Sequence, residues 1–348
     1  MAITKRITPT RVMIVEDSAV VRMLLTHIIS EDPRLSVAAA FATAEEAIAA
    51  LPTVRPDVIS MDIRLPGIDG LEATRRIMAD HPTPIVVITA TIDRGELGNS
   101  MDALRAGALS VVEKPVGIAD AAYTRVAHEI RTQLSIMSDV AVVRRRLREP
   151  AITAAAPSRV RRPKVLMVAA STGGPPALAK LFAALPGDLP LPVLLVQHMG
   201  AGFMAGFASW LDSVVPQNVE LARHGELPRR GTIHVAPGDS HLSLGRSGTM
   251  VVSNEAPVAG QRPSASHLIA SGATALDGAA LAVVLTGMGD DGGAGVQSLL
   301  AAGGSAVAEH ASSAVVYGMP AAAHRAGALS LPLDLIAPHL RRVMERSV

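Results

Sequence analysis

The chain has 348 residues and a formal net charge of +1 at pH 7, and its 49% hydrophobic content includes only two Tyr, four Phe and one Trp. A near-neutral chain feels no long-range pull toward DNA or an anionic membrane, and so few rings argue against a base-stacking surface. With no cysteine, disulfides, thiolate zinc sites and a cysteine nucleophile are all excluded, which suits a reducing compartment.

The length suits two domains. Met1 to Thr10 lack an apolar signal core, and runs such as Val165 to Ala170 and Ala279 to Leu285 fall far short of the ~20 residues a membrane helix needs. A cytoplasmic protein with no membrane insertion is therefore expected. Short apolar runs alternate with amphipathic helical stretches in the first third, predicting strands at 11–15, 35–40, 57–61, 84–88 and 108–112. Five strands and five helices make one doubly wound α/β domain, over 9–133. The stretch 134–163, with Arg144, Arg145, Arg146 and Arg148 followed by Pro150, Pro157 and Pro163, is read as an interdomain linker. Alternation resumes over 164–346, with strands expected at 165–170, 192–197, 232–236, 241–244, 249–252, 281–286 and 305–308. This is a second α/β domain with a parallel sheet and a short antiparallel insert.

In open parallel sheets reactive groups gather where strands end at their carboxyl edge. In the first domain those ends carry Glu16 and Asp17, then Asp62, Thr89 and Lys114. Three converging carboxylates repel unless a cation lies among them, and an all-oxygen set suits magnesium. The pattern offers Asp62 as a nucleophile toward phosphorus, with Thr89 and Lys114 to hold the transferred oxygens. A single acidic residue would be read as a helix cap, but matching polar ends on four strands disfavour that reading.

In the second domain the strand VLMVAA runs into Ser171, Thr172, Gly173 and Gly174 and then a helix-forming stretch. Backbone N–H groups at a helix start stabilise an oxyanion or a phosphate. The turn can thus be a serine nucleophile with its oxyanion hole, a phosphate cradle, or a plain helix cap. The next strand ends in His198, and LAVVLTG ends near Asp290 and Asp291. A hydroxyl, an imidazole and a carboxylate at three strand ends are the parts of a nucleophilic triad, although spacing does not choose between the two aspartates. His224, His234, His241 and His267 show no pairing that resembles a metal site.

VMIVEDSAVVR, PDVISMDIRLPGIDGLEA, VVITA and VVEKP resemble the motifs of response-regulator receiver domains, flavodoxin-like (βα)5 units. That resemblance implies Glu16, Asp17 and Asp62 as the Mg2+ site, Asp62 as phosphoacceptor, and Thr89 and Lys114 as phosphate sensors. Receivers commonly carry an aromatic residue three positions before the lysine, where this chain has Val111, so the switch lacks its usual ring. AASTGGPPAL, LLVQHM, HVAPGDSHL, RPSASHL, VVLTGMGDDGGAG and VVYGMP resemble the catalytic domain of the protein-glutamate methylesterases of bacterial chemotaxis. VAAS replaces the usual IGAS-type turn.

The resemblance implies Ser171 as nucleophile, His198 as base and Asp291 as its partner, with Thr172, Gly173 and Met288 lining the site. No cofactor is expected for the esterase. Methyl-accepting chemotaxis receptors are the implied substrate, a chemotaxis histidine kinase the phosphodonor, and a monomer the expected state. The unphosphorylated receiver would block access to the esterase site, and phosphate on Asp62 would relieve the block. The rival classes are a transcription regulator, disfavoured because no compact helical unit with a recognition helix is apparent, and a binding module with a degenerate site.

Overall fold

The structure, a computed structural model, describes residues 8–89, 103, 106–115, 123–138 and 161–345. The chain divides into two compact units between Arg146 and Leu147. The arginine-rich part of the expected linker lies outside the described residues, as does most of the stretch between residues 90 and 105 where the fourth of the five helices is expected.

The first unit is a five-stranded parallel sheet in the order β2-β1-β3-β4-β5. The strands are β1 (Thr10–Val15), β2 (Leu35–Phe41), β3 (Val58–Met61), β4 (Ile85–Thr89) and β5 (Ser110–Glu113). β3 and β4 are buried along their whole length, as expected of strands covered on both faces. Helices α1 (Ala19–Ser30), α2 (Ala44–Val54), α3 (Gly70–Asp80) and α4 (Tyr123–Met137) are described with them. α1 begins where the Ser18 side chain accepts from Val21 N, and it buries Leu25, Ile28 and Ile29. Their i, i+3, i+4 spacing forms one apolar stripe, each residue worth roughly 1.5–3 kcal/mol over exposure. α3 starts at Asp69, whose side chain accepts from Glu72 N at 2.8 Å, the first half of an Asp-x-x-Glu capping box. α4 runs to Met137, past the expected domain end at 133. Chain order reverses direction between β1 and β3, so the crevice between their carboxyl ends is the topological switch point.

The second unit holds a seven-stranded parallel sheet in the order β14-β13-β12-β6-β7-β9-β8 and a separate antiparallel pair, β10-β11. Its centre is β12 (Leu281–Val284), β6 (Leu166–Ala170) and β7 (Val193–Gln197), buried throughout. β13 (Ser305–Glu309) and β14 (Leu329–Leu331) lie on one flank, β9 (Thr232–Val235) and β8 (Asn218–Leu221) on the other. The antiparallel pair is β10 (His241–Leu244) and β11 (Met250–Ser253). The helices are α5 (Gly174–Ala183), α6 (Met204–Val214), α7 (Ala265–Ala275), α8 (Gly293–Ala301), α9 (Met319–Arg325) and α10 (Leu333–Glu345). Two strands were not expected from the sequence, β8 and β14. Both are sheet edges of four and three residues with partly exposed side chains, where the apolar signal is weakest. Met167, Ala169, Leu194 and Val284 on the central strands, with Val307 on β13, are at most 1% exposed. Arg161 N donates to Gly303 O at 3.0 Å, so this unit engages the chain slightly before residue 164. Among the described residues no helix is long and apolar enough to cross a membrane.

Candidate functional site

At the switch point of the first sheet, ligand oxygens of Glu16, Asp17 and Asp62 lie within 4.8 Å of one another. Glu16 and Asp62 are buried and Asp17 is exposed. Lys114 reaches over from the end of β5, with Nζ 2.8 Å from Glu16 Oε2 and 2.7 Å from Asp62 Oδ2. Burial pushes both carboxyls up from their ordinary values. Lys114 opposes that shift at each, and the Asp62 charge adds to it at Glu16. Arg22 on α1 donates to Glu16 O at 2.6 Å and Asp17 O at 3.1 Å, fixing the loop that carries the acidic pair. Thr89 is buried at the end of β4, and its carbonyl accepts from Lys114 N at 2.9 Å. Gly70 is required here, because a Cβ would fall 1.9 Å from Asp62 O. Val111 is 7% exposed and pairs with Val87 in the sheet. Among the described residues Asp62 Oδ1 is buried without a hydrogen-bond partner, and the donors are all hard oxygens, a set that fits a divalent cation such as Mg2+.

The second site lies at the carboxyl edge of β6, β7 and β12. Parallel pairing matches Ala170 with Gln197, and His198 N donates to Ala170 O at 3.0 Å. Ser171 and His198 therefore leave neighbouring strands side by side, with main chains about 4.8 Å apart. Ser171 is half-buried, its N–H bonded to Thr286 O at 3.0 Å, and among the described residues its Oγ makes no hydrogen bond. Such contacts are often open before substrate arrives. The plain helix-cap reading of Ser171 does not hold, because the cap of α5 is Gly173, which has no side-chain cap bond. Gly173 has φ +74°, and a Cβ there would lie 2.7 Å from Val315 Cβ, so glycine alone allows this turn. Thr172 is buried beside it, and its carbonyl accepts from Thr286 Oγ at 2.9 Å.

His198 Nε2 lies 3.0 Å from Asp291 Oδ2; Asp291 is 4% exposed, whereas Asp290 is exposed to solvent. The Asp291 carboxylate is seated on the first turn of α7. Oδ1 accepts from Ser264 Oγ at 2.9 Å and Ser266 N at 2.8 Å, and Oδ2 also accepts from Ala265 N at 2.7 Å. Burial by itself would raise its pKa. The hydrogen bond and charge of His198, with the Ser266 and Ala265 N–H groups, win and hold it at about 2. The group is thus an anion that accepts only, so the proton in this contact sits on His198 Nε2. Met288 is 42% exposed on the loop between Gly287 and Asp291, and a Cβ on Gly287 would meet Ser171 Cβ at 2.7 Å.

Of the remaining histidines, His241 braces this assembly by accepting from Ser264 N at 3.2 Å. His234 lies buried at the sheet flank between Glu220 and the Arg229 N–H. The Ser264–Ser266 clamp was not expected, although RPSASHL is one of the segments that carry the resemblance. Its Ser-initiated helix start is the signal that could have shown it.

Two family models match the chain: CheB methylesterase over residues 166–340 and response regulator receiver domain over residues 12–123. A protein-glutamate methylesterase/protein-glutamine glutaminase 2 of Paramagnetospirillum magneticum is 47% identical over 340 residues, covering 95% of this chain and 96% of that protein. Its counterpart 3 from Anaeromyxobacter dehalogenans is 45% identical over 343 residues, covering 97% of this chain and 99% of the relative. The crystal structure of the Thermotoga maritima CheB methylesterase catalytic domain is 33% identical with a TM-score of 0.50, and the match covers 53% of this chain and 98% of that one. With relatives matched almost end to end and a serine, a histidine and a buried carboxylate at one sheet edge, this chain belongs to the CheB methylesterase family, a hydrolase unit preceded by a response-regulator receiver domain.

Proposed function

We propose that the chain is a phosphorylation-activated protein-glutamate methylesterase, with protein-glutamine deamidase activity at the same site, acting on methyl-accepting chemotaxis receptors in the cytoplasm. Ser171 Oγ adds to the γ-carbonyl of a glutamate methyl ester while His198 Nδ1 takes its proton. The imidazolium is stabilised by Asp291 and returns the proton to the departing methoxide, giving methanol and an acyl-Ser171 ester. Water, deprotonated by His198, then releases the glutamate. A glutamine side chain takes the same course with ammonia leaving. Backbone N–H groups of the Thr172–Gly173 turn receive the oxyanion, a contribution of about 3 kcal/mol for one donor in such enzymes. Met288 lines the mouth of the site.

The observation that carries this reading is the His198–Asp291 contact at 3.0 Å beside Ser171 on the next strand end. It holds the imidazole by a buried carboxylate at the strand end beside the one that carries the half-buried Ser171 hydroxyl.

In the receiver, Glu16, Asp17 and Asp62 would hold Mg2+, which when bound offsets the charge that develops during phosphoryl transfer. Asp62 accepts the phosphoryl group from a chemotaxis histidine kinase, and Thr89 and Lys114 bind its oxygens. The added charge, up to about −2, reorganises that hydrogen-bond set and raises the esterase rate. The receiver spans about 9–133 and the esterase unit 164–346, and the protein acts as a monomer without nucleic acid.

The test is methanol release from methylated receptor membranes, with and without Mg2+ and a small phosphodonor. Ser171→Ala should abolish release and leave Asp62 phosphorylation unchanged. Release that persists in that variant would defeat the assignment.

A further inference from the structure

Gln197, the last residue of β7, is 1% exposed, a carboxamide in an otherwise apolar strand. Both of its donor hydrogens are used. Nε2 donates to Ser171 O at 2.9 Å and to His198 O at 2.9 Å. The last main-chain rung between β6 and β7 is His198 N to Ala170 O, so beyond it the carboxamide is the next link between the two chains. The amide cannot be reversed, since its oxygen would then face two carbonyls.

That oxygen instead lies buried with no hydrogen-bond partner among the described residues, a destabilising arrangement that an apolar side chain of equal length would avoid. A Cβ on Gly174 would lie 2.1 Å from it, so glycine at the start of α5 makes room for the carboxamide. Ser171 O is already satisfied by Gly174 N at 2.8 Å, so the second bond from Gln197 is not needed to pair it. A buried group that leaves one atom orphaned in order to span two residues from separate strands fits a local geometric task better than fold stability.

We infer that Gln197 is a positioning residue that fixes the separation and relative orientation of Ser171 and His198 by tying their main-chain carbonyls together. It touches no substrate and acts through those two residues. The inference rests on their proposed roles as nucleophile and base. A displacement near 1 Å between such groups can lower turnover by about 100-fold.

The full-length protein carrying Gln197→Met, which keeps volume and removes the donor, is compared with wild type, Ser171→Ala and Gln197→Asn. The readouts are methanol release from methylated receptor membranes, the labelling rate of Ser171 by a phosphonofluoridate, and Tm. The expected result for Gln197→Met is a kcat about 10- to 100-fold lower with KM unchanged. Labelling should slow by the same factor, with Tm within a few degrees of wild type.

Gln197→Asn, which keeps the donor on a shorter arm, should fall between Gln197→Met and wild type. A folded Gln197→Met protein with kcat within about twofold of wild type overturns the inference. So does failure of both Gln197 variants to fold, which would assign the residue to stability alone. Activity retained by Ser171→Ala would instead strike the nucleophile assignment, so the two failures are distinguishable.

Discussion

Replacing Asp291 by asparagine keeps the shape of the side chain and removes its charge, and the surrounding hydrogen bonds set the cost. The carboxylate accepts four of them, two at each oxygen. An asparagine must place its NH2 against one of those pairs. Whichever pair it meets contains a backbone N–H, from Ser266 on one side and from Ala265 on the other, and neither can turn acceptor. A buried donor facing a donor costs about 1–3 kcal/mol.

The charge gives a second estimate. A pKa of about 2 against an ordinary 3.8 corresponds to roughly 2–3 kcal/mol of stability, which the neutral side chain cannot supply. The folded-state value is depressed, so in wild type this contribution is complete above about pH 4 and lost as pH falls toward 2. Asp291→Asn should therefore lower stability by about 2–3 kcal/mol at pH 7, or Tm by about 4–12 °C for a unit of this size. The charge-dependent part of that difference should be nearly gone by about pH 2, leaving the cost of the misplaced NH2. If the NH2 faces His198, Nε2 becomes an acceptor and Nδ1 carries the hydrogen, so the base is lost and kcat drops on the order of 1000-fold. Methanol release and thermal unfolding measured across pH 2 to 8 test both arms. A variant with kcat within about tenfold of wild type, or with an unchanged Tm at pH 7, would refute the reasoning.

Substitutions in the first unit have equally definite outcomes. Asp62→Asn should leave basal methanol release intact and abolish its stimulation by a phosphodonor, measured as a rate ratio with and without the donor. Lys114→Met withdraws the ammonium group shared by Glu16 and Asp62, so phosphate uptake from a radiolabelled small donor should fall about 10- to 100-fold. Gly70→Ala puts a methyl group where Asp62 O stands, and denaturant unfolding should show the receiver destabilised by at least about 1–3 kcal/mol.

The parts of the molecule that are legible in the sequence are those with one dominant physical cause. β4, β6, β7 and β12 are apolar runs, and β3 is broken only by the buried Ser60, because both faces of each strand are covered; the polar residues at or just past the ends of these strands mark the reactive edges of the sheets. β8 and β14 are not legible, because an edge strand of three or four residues needs little apolar surface and borrows its pairing from a neighbour. The choice between Asp290 and Asp291 cannot be made from spacing. What sets Asp291 apart is α7, which begins 26 residues earlier in the chain and delivers the N–H groups of Ala265 and Ser266 to its carboxylate. Gln197 sits inside the LLVQHM motif but carries no signal of its own, since its two acceptors are main-chain carbonyls that no side-chain pattern reveals.

The seat of Asp291 on the start of α7 makes the electrostatics of the proposed base, His198, depend on one turn of helix staying wound. Loosening Ser264 to Ser266 by even a transient local opening would release the carboxylate, free the imidazole to rotate and silence the hydroxyl, with no residue of the cleft altered. The amide protons of Ala265 and Ser266 are therefore natural reporters of competence. Their exchange with deuterium should track the fraction of molecules able to turn over, and any binding event that frays this turn acts as a remote brake.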